Sequence, residues 1–405
     1  MHRRHFLKTV GAFSALAGLP LTPLAAAPRA DTVVVGAGVF GLWTAVKLRE
    51  RGHRVTVVDA FGPANSAASS GGETRVTRCG YGDIDLYTRW ACRARRDWAA
   101  LSAKARLPLF HPMGVLWLHR ADDSFAATTR ETLSRHGIAH EQLGAKALAR
   151  RYPVMRVAAD EAALLEPEAG GLMARRAVQT LARLFIADGG HLVQARVAPL
   201  PQADRRGRRL AALVTTEGER LEADHMVMAC GPWLHKVCPD ALGGRLFVTR
   251  QEVFTFAASR TDTGDLPVWA DLPFYGLPSV EGRGFKVAND THGAPMDPDT
   301  ADRRPGEEGE RDARAFLARR FPMLKDRPLW ESRVCQYANS ANGDFILDQH
   351  PGLDNVWLAG GGSGHGFKHG PAVGRHMADL VNGDARPMDR FSLASKPERQ
   401  QRQVQ

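Results

Sequence analysis

Residues 31–60 read DTVVVGAGVFGLWTAVKLRERGHRVTVVDA, in which a glycine-rich turn directly follows an apolar run. The apolar run, Thr32–Val35, has the length and β-branched content of a buried parallel strand. Gly36, Gly38 and Gly41 follow with the spacing G-x-G-x-x-G. The first glycine permits a tight turn, the second lets a pyrophosphate approach the backbone, and the third lets a helix pack closely on the strand. The stretch therefore predicts the start of a dinucleotide-binding βαβ unit.

The residues after the turn complete that unit. Val39–Arg51 is predicted to be a helix whose N-terminal N–H groups face the phosphate, and Val55–Val58 is predicted to be a second buried strand. Asp59 follows, where a carboxylate accepts hydrogen bonds from ribose hydroxyls and repels a 2′-phosphate. This pattern favours FAD or NAD over NADP. Glycine-rich turns also occur as plain connectors, but here the strand, helix, second strand and acid all fall within one βαβ length.

The first 30 residues are predicted to be a signal peptide and not part of the fold. Arg3 and Arg4 precede an apolar stretch, Val10–Ala17, and the small-residue run Ala25–Ala27. The paired arginines resemble a twin-arginine signal, which predicts a periplasmic or otherwise exported protein that binds the twin-arginine translocase during export. A disordered basic tail is the alternative. The apolar stretch is too short to span a bilayer, so no stable membrane insertion is expected.

The length and charge of the chain narrow the classes of function. Its 405 residues are enough for one large or two modest domains. A formal net charge of +10 can indicate nucleic acid or anionic membrane surfaces as partners. The arginines are scattered, however, with no long basic run and no interleaved aromatic residues, so no nucleic-acid partner is predicted.

The cysteines are few for an exported protein. They are Cys79, Cys92, Cys230, Cys238 and Cys335. The count is odd and no C-x-x-C pair occurs, so neither a zinc site nor a disulfide framework is indicated. Folding in a reducing cytoplasm before export would explain why the chain does not depend on disulfides.

Further elements are predicted from apolar runs and turn-forming residues. The predicted strands are Met113–Leu118, Asp224–Ala229, Leu246–Phe256, Val268–Tyr275, Gly284–Val287 and Asn355–Ala359. Asp312–Arg320 is predicted to be an amphipathic helix, and Pro371 opens a final helix that ends near Val381. The predicted loops are Phe61–Gly72, Pro199–Arg208 and Asp297–Glu310.

These elements predict an α/β fold class, α+β overall. A Rossmann-type domain that binds FAD or NAD is predicted to be assembled from separated segments, with a strand-rich substrate domain inserted between them. The predicted segments of the first domain are 31–110, 170–240 and 340–388. Those of the substrate domain are 111–169 and 241–339, and a tail is predicted at 389–405.

Several motifs, in order along the chain, resemble the monomeric sarcosine oxidase and N-methyltryptophan oxidase family. They are VVVGAGVFGLWTA, SSGGETRVTRCGYGD, MACGPW, FYGLPS, GRGFKVANDTHGAPMDPDT, RVCQYANSANGDFILDQHP and NVWLAGGGSGHGFKHGPAVG. This family lies within the D-amino-acid-oxidase-like FAD-dependent oxidoreductases. The motifs extend from about Asp31 to the final helix, and the resemblance implies FAD as the cofactor.

The resemblance also implies where FAD is held. Cys335 is expected to carry the flavin through a thioether to its 8α-methyl group, for which a thiolate is a suitable soft nucleophile if nearby cations lower its pKa. Without the resemblance, an isolated cysteine is more often a buried free thiol. The full set of residues expected to bind FAD is Gly36, Gly38, Val39, Gly41, Asp59, Ala60, Ser70, Thr74, Arg75, Cys335, Gly362, Gly364, His365, Gly366 and Lys368.

Charged and aromatic residues of the same motifs are implied to carry the chemistry. Lys286 is expected over the flavin near N5, where a fixed ammonium would stabilise developing superoxide. Arg78 and Lys368 are expected to hold the substrate carboxylate. The other residues implied to lie in the pocket or against the flavin are Arg75, Tyr275, Tyr337 and His365.

Two positions depart from the pattern of the family. Asp290 stands where well-known members have a histidine four residues after the flavin lysine, and Ser70 and Gly71 stand where they have a paired histidine. An acidic group near the pocket alters amine recognition and local pKa values. We expect Asp290 to accommodate a polar or cationic part of the substrate, which argues against sarcosine itself.

The sequence thus predicts a monomeric FAD-dependent oxidase of a secondary amine or N-alkyl amino acid. The C–N bond would be oxidised to an imine, with O2 reduced to H2O2. The alternatives are a dehydrogenase of the same fold with a quinone or cytochrome acceptor, a fructosyl-amine oxidase, and a non-catalytic flavin-bearing protein. Lys286 argues against the first of these, and its presence together with Arg78, Cys335 and Lys368 argues against the last.

Overall fold

Residues 31–60 fold as the predicted strand, turn, helix and strand. The computed structural model describes residues 29–200 and 204–398, and in it β1 (Ala30–Val35) pairs in parallel with β2 (Val55–Asp59) across the connecting helix α1 (Val39–Arg49). Gly36 has a φ of +110°, and a Cβ on Gly41 would lie 1.9 Å from the Gly36 carbonyl oxygen. The turn therefore requires both glycines, as predicted. Residues 1–28 of the predicted signal peptide lie outside the described residues.

β1 and β2 belong to an eight-stranded sheet. Its other strands are β9 (His191–Gln194), β10 (Asp204–Arg206), β11 (Arg209–Val214), β12 (Arg220–Met228), β18 (Ile346–Gln349) and β19 (Val356–Gly360). The order is β10-β11-β12-β1-β2-β9, with β19 paired to β12 and β18 to β19. β19, β12, β1, β2 and β9 run parallel, so their carboxyl ends share one edge, where ligands bind in open α/β sheets.

A second eight-stranded sheet is built from the chain between residues 115 and 166 and between residues 246 and 340. In spatial order its strands are β17 (Leu329–Ser340), β13 (Leu246–Phe256), β16 (Phe285–Asn289), β15 (Phe274–Leu277), β14 (Val268–Asp271), β5 (Val115–Arg120), β7 (Glu161–Glu166) and β6 (Glu141–Gly144). A small third sheet contains β3 (Thr74–Thr77), β8 (Gly170–Met173) and β4 (Phe110–His111). Along the chain, each of its strands comes between strands of the two large sheets.

The helices divide between the two large sheets. They are α2 (Asp85–Ala105), α3 (Ser124–Arg135), α4 (Ala145–Arg151), α5 (Ala174–Ala187), α6 (Leu234–Val237), α7 (Pro239–Leu242), α8 (Arg260–Thr263), α9 (Glu307–Arg320) and α10 (Gly370–Asn382). α1 packs between α10 and α5, and α2 packs against α10. α9 covers the second sheet, where Phe316 stacks on Trp269 with ring centroids 5.1 Å apart. In residues 29–200 and 204–398, no helix has the length and apolar character needed to cross a membrane.

Three predicted elements differ from the structure. Val268–Tyr275 was predicted as one strand but forms the antiparallel pair β14 and β15, because Pro273 has no N–H to continue a ladder. The predicted loop Asp297–Glu310 gives way to α9 at Glu307, where acidic residues in the first turn favour a helix N-terminus. The predicted loop Pro199–Arg208 contains β10.

The chain after the final helix returns to the core. Phe391 is fully buried, and its ring lies 5.1 Å from that of Trp90 and 5.9 Å from that of Tyr87. Phe391 therefore packs against α2, and its ring also lies 6.4 Å from that of His376 on α10.

Candidate active site

Four cavities follow one another from the glycine turn to the second large sheet. The first, about 300 Å³, shares Gly38, Ser69 and Ser70 with the second, about 110 Å³. Arg75 lines the second cavity and also the third and fourth, of about 220 and 70 Å³. The four cavities therefore form a continuous site for an elongated ligand, and Arg75 lies where the second, third and fourth cavities meet.

The first cavity contains the predicted dinucleotide residues. It is lined by Gly36, Gly38, Asp59, Ala60 and Ser70, among others. The Asp59 carboxylate accepts hydrogen bonds from the N–H groups of Ala37 at 2.7 Å and Phe61 at 2.9 Å. Burial raises the pKa of Asp59, and these backbone donors oppose the rise. The carboxylate is thus fixed at the carboxyl end of β2, where ribose hydroxyls of a dinucleotide bind.

The second cavity is walled by backbone from the glycine run after β19. Its lining includes Val39, Gly362, Gly364 and Gly366, all predicted, together with Gln336, which the sequence reasoning missed. The Gln336 side chain is fully buried and donates from Nε2 to the Ala67 carbonyl at 2.7 Å. Its Oε1 has no hydrogen-bond partner among the described residues. A buried acceptor without a partner can accept a hydrogen bond from an N–H group of a ligand, and a flavin has such a group.

Arg75 is held in place by its neighbours on and before β3. Its guanidinium donates to the carbonyl oxygens of Thr74 and Ser69, and Nη2 lies 3.6 Å from Cys335 Sγ. A Cβ on Gly72 would lie 2.3 Å from Arg75 Nη1, so this glycine leaves room for the guanidinium. Arg75 and Cys335 are therefore in contact.

Lys286 shares the third cavity with Thr74, Arg75 and Cys335. It lies on β16, is 7% exposed, and donates from Nζ to the Thr74 carbonyl at 3.3 Å. Burial, followed by repulsion from Arg75, lowers the pKa of Lys286 to about 7. The ammonium is consequently poised between its charged and neutral forms near neutral pH.

The fourth cavity brings Arg78 and Lys368 together with Arg75 and His365. Arg78 is buried, and its guanidinium carbon lies 4.6 Å from the Tyr81 ring centroid and 4.7 Å from that of Trp117. Two buried cations in one small cavity would attract an anion, because their charges lack the screening that water supplies.

Tyr81 connects this cation pair and was not identified from the sequence. Its hydroxyl oxygen accepts from Lys368 Nζ at 2.9 Å and lies 2.8 Å from His369 Nε2 and 3.2 Å from His365 Nδ1. Burial lowers the pKa of His369 well below its usual value, followed by the charges of Lys368 and Arg78. The only sequence signal for Tyr81 was its place in the RVTRCGYGD motif, three residues after Arg78.

A chain of two phenols and a carboxylate faces the same region. Tyr337 donates from its hydroxyl to Asp290 Oδ1 at 2.7 Å, and the Tyr275 and Tyr337 hydroxyls are 3.4 Å apart. Burial, followed by the charge of Asp290, raises the pKa of Tyr275 to about 12 and that of Tyr337 well above its usual value. Both phenols therefore stay protonated at neutral pH.

The structure thus gathers most of the predicted site residues around the four cavities. Asp290 and Tyr275 line the fourth cavity, and His365 lies there rather than in the glycine-walled second cavity. The Ser70 hydroxyl accepts from the Val39 N–H at 3.1 Å and so supports the glycine turn. Gly41 packs against Gly36, which agrees with its predicted structural role.

The chain is similar to known proteins in both sequence and fold. The family described as "DAO: FAD dependent oxidoreductase" matches residues 31–380. Monomeric sarcosine oxidase from Bacillus sp. (strain B-0618) is 30% identical over 363 residues, which cover 87% of this chain and 92% of that protein. N-methyl-L-tryptophan oxidase from Salmonella arizonae is 28% identical over 363 residues, covering 87% and 94%. In fold, the chain resembles L-proline dehydrogenase from P. horikoshii, with a TM-score of 0.79, 19% identity, and 92% and 98% of the chains covered.

Proposed function

Because the chain belongs to the DAO family of FAD-dependent oxidoreductases, we propose that it oxidises a secondary amine or an N-alkyl amino acid and passes the electrons to O2. The observation that carries the proposal is Arg75, which joins a cavity containing the cations Arg78 and Lys368 to one containing Lys286 and Cys335. The proposed carboxylate-binding site and the proposed oxygen-reducing site are thus adjacent. Two relatives that match 87% of the chain are named as oxidases of sarcosine and of N-methyl-L-tryptophan, which supports this class of substrate.

The residues of the chain would position the substrate and control its charges. Arg78 and Lys368 would hold the carboxylate, with Tyr81 fixing Lys368 Nζ at 2.9 Å. FAD, when bound along the four cavities, supplies the acceptor for the hydride equivalent that leaves the carbon next to nitrogen. The charged form of Lys286 would stabilise the negative charge that develops on O2. The protein thereby contributes orientation and electrostatic stabilisation.

We further propose that Cys335 binds FAD covalently. Its Sγ lies 3.6 Å from Arg75 Nη2 and lines the same cavity as Lys286, so the sulfur lies beside two basic side chains. A thioether to the 8α carbon would form with loss of one hydrogen from the sulfur and one from the methyl group, and O2 would take up both as H2O2. The basic side chains beside Cys335 therefore support the proposed attachment.

Denaturation in acid tests the attachment. Purified holoprotein is precipitated, and the yellow colour is followed to the pellet or the supernatant. Colour in the pellet of the wild type, together with colour in the supernatant of Cys335→Ser, supports the thioether. Colour in the wild-type supernatant contradicts it without contradicting FAD binding.

Peroxide release tests the reaction itself. N-methyl and cyclic amino acids are supplied to the holoprotein with O2 as the sole acceptor, and both flavin bleaching and H2O2 are recorded. Bleaching without peroxide, restored to turnover by an added quinone, would instead indicate the dehydrogenase. Absence of bleaching by every amine would contradict the proposed activity.

Export through the twin-arginine translocase is proposed from Arg3 and Arg4 alone. Replacement of both by lysine removes the paired arginines and keeps the charge. We expect the wild type in the periplasmic fraction and the double variant retained in the cytoplasm in a host that has this translocase. Equal periplasmic amounts of the two proteins would contradict this route.

A further inference from the structure

Two of the five cysteines lie side by side next to the proposed carboxylate site. Cys79 follows β3 in the turn that leads to α2, and Cys92 lies on α2. Their Sγ atoms are 2.7 Å apart, and the two residues are 13 positions apart in the chain. A disulfide requires about 2.05 Å between its sulfurs, so a small shift of either side chain would close the bond. The two thiols are unbonded in the structure.

The two thiols differ in accessibility and in acidity. Cys79 is fully buried beside Leu133 and Leu164, whereas Cys92 is partly exposed. The contact with Cys79, followed by the charge of Arg95, lowers the pKa of the Cys92 thiol. The contact with Cys92, followed by burial, raises that of Cys79. An oxidant from solvent would therefore meet the more acidic sulfur first, and the buried thiol would stand ready beside it.

The turn that carries Cys79 also positions Arg78. The Glu166 carboxylate accepts the N–H of Cys79 at 2.7 Å and the N–H of Gly80 at 3.0 Å. The Arg78 guanidinium in turn donates to the Gly80 carbonyl oxygen. A covalent link at Cys79 would consequently fasten to α2 the same turn that orients the proposed carboxylate ligand.

We propose that Cys79 and Cys92 form a reversible disulfide that fastens the Arg78 turn to α2, with hydrogen peroxide as the oxidant. Peroxide converts the Cys92 thiolate to a sulfenic acid with release of hydroxide. The Cys79 thiol then displaces the hydroxyl group as water and forms the S–S bond. Overall, two thiols are oxidised to one disulfide and one peroxide is reduced to two waters. The supply of peroxide by the enzyme itself rests on the proposed function, but the chemistry of the pair does not.

Peptide mapping of the holoprotein tests the proposal. The protein is exposed to added hydrogen peroxide, denatured in N-ethylmaleimide and digested with trypsin, which places Cys79 in peptide 79–89 and Cys92 in peptide 90–93. We expect these two peptides joined and free of the alkylating group, and separate and alkylated after dithiothreitol. Cys92→Ala should remove the joined species, and the control Cys238→Ala, at a buried cysteine elsewhere, should keep it.

The unfolding temperature shows whether the disulfide stabilises the fold or whether peroxide only oxidises side chains without this effect. Closing this loop restricts the unfolded chain, so the peroxide-treated wild type should unfold at a higher temperature than the reduced wild type, and Cys92→Ala should show no such difference. Alkylation of both cysteines after peroxide, or conversion of Cys92 to a sulfinic acid without a joined peptide, would overturn the proposal. Because peroxide is added, neither outcome depends on whether the protein oxidises amines.

Discussion

The hydroxyl of Tyr337 donates a 2.7 Å hydrogen bond to Asp290, and this bond fixes a carboxylate at the proposed substrate cavity. Asp290 lies one residue beyond β16, the strand that carries Lys286, while Tyr337 lies on β17. The two strands are separated by β13 in the second sheet. The carboxylate is therefore held between β17 and the end of β16, beside the proposed flavin site.

Asp290→Asn is expected to change which amines are accepted. The amide keeps an oxygen for the Tyr337 hydroxyl but removes the negative charge. For substrates with a cationic or strongly polar side chain, kcat/KM should fall by about tenfold, which corresponds to about 1.4 kcal/mol. For small N-methyl amino acids it should stay level or rise. Steady-state assays across both groups measure the ratio.

The same ratio in Asp290→His provides a second comparison. This substitution places a histidine at the position where well-known members of the family that the chain resembles have one. If neither variant alters the ratio of kcat/KM between the two groups of substrates, Asp290 does not contact the substrate side chain.

Lys286→Met is expected to slow the reaction with oxygen more than substrate oxidation. One preorganised charged group is lost where negative charge develops, so the oxygen reaction should slow about 100-fold or more. Stopped-flow measurement of flavin reduction without O2, and of its reoxidation with O2, separates the two steps. The exposed Lys325 provides the control, since Lys325→Met should leave both rates unchanged.

The oxygen reaction should also depend on pH. Burial and Arg75 lower the pKa of Lys286 to about 7, so the ammonium loses its proton as the pH rises through that value. If the charged form assists O2, the reoxidation rate should be highest below about pH 7 and decline above it. A rate that rises with pH over this range in the wild type would contradict a role for the ammonium.

Lys368→Met is expected to weaken binding of the substrate carboxylate. Charge-assisted hydrogen bonds contribute about 1.5–3 kcal/mol, so KM should rise by roughly 10-fold to 100-fold, with a smaller change in kcat. An amine substrate that lacks the carboxylate should not show the rise. Lys104→Met, at an exposed position of α2, is the matched control.

The parts of the site that depend on neighbouring residues in sequence could be predicted. Gly36 and Asp59 belong to one βαβ unit, whose local geometry dictates both the turn and the acid. The motif resemblance added Arg78, Lys286 and Lys368, which the structure gathers near Arg75.

The contacts that cross the chain could not be predicted. Tyr81 and Lys368 are 287 positions apart in the chain, yet their side chains are hydrogen-bonded. That Gln336 Oε1 has no hydrogen-bond partner among the described residues is apparent only from the residues that surround it in the fold. Cys79 and Cys92 carried no pairing signal either, because their contact depends on how the turn after β3 meets α2. Likewise, the sequence predicts one strand over Val268–Tyr275, because apolar residues continue on both sides of Pro273.

Gly72→Ala is expected to displace the Arg75 guanidinium without unfolding the protein. The added Cβ would lie 2.3 Å from Arg75 Nη1, and the flexible end of the arginine can move more easily than the backbone. The displaced charge would no longer lie beside Cys335, so covalent attachment of FAD should slow, as measured by acid-stable yellow colour over time after adding FAD to apoprotein. Gly144→Ala is the control, because a Cβ there meets no atom within 4 Å in the described structure. Equal rates of attachment in the two variants, with Cys335→Ser inactive in the same assay, would show that Arg75 does not activate the thiol.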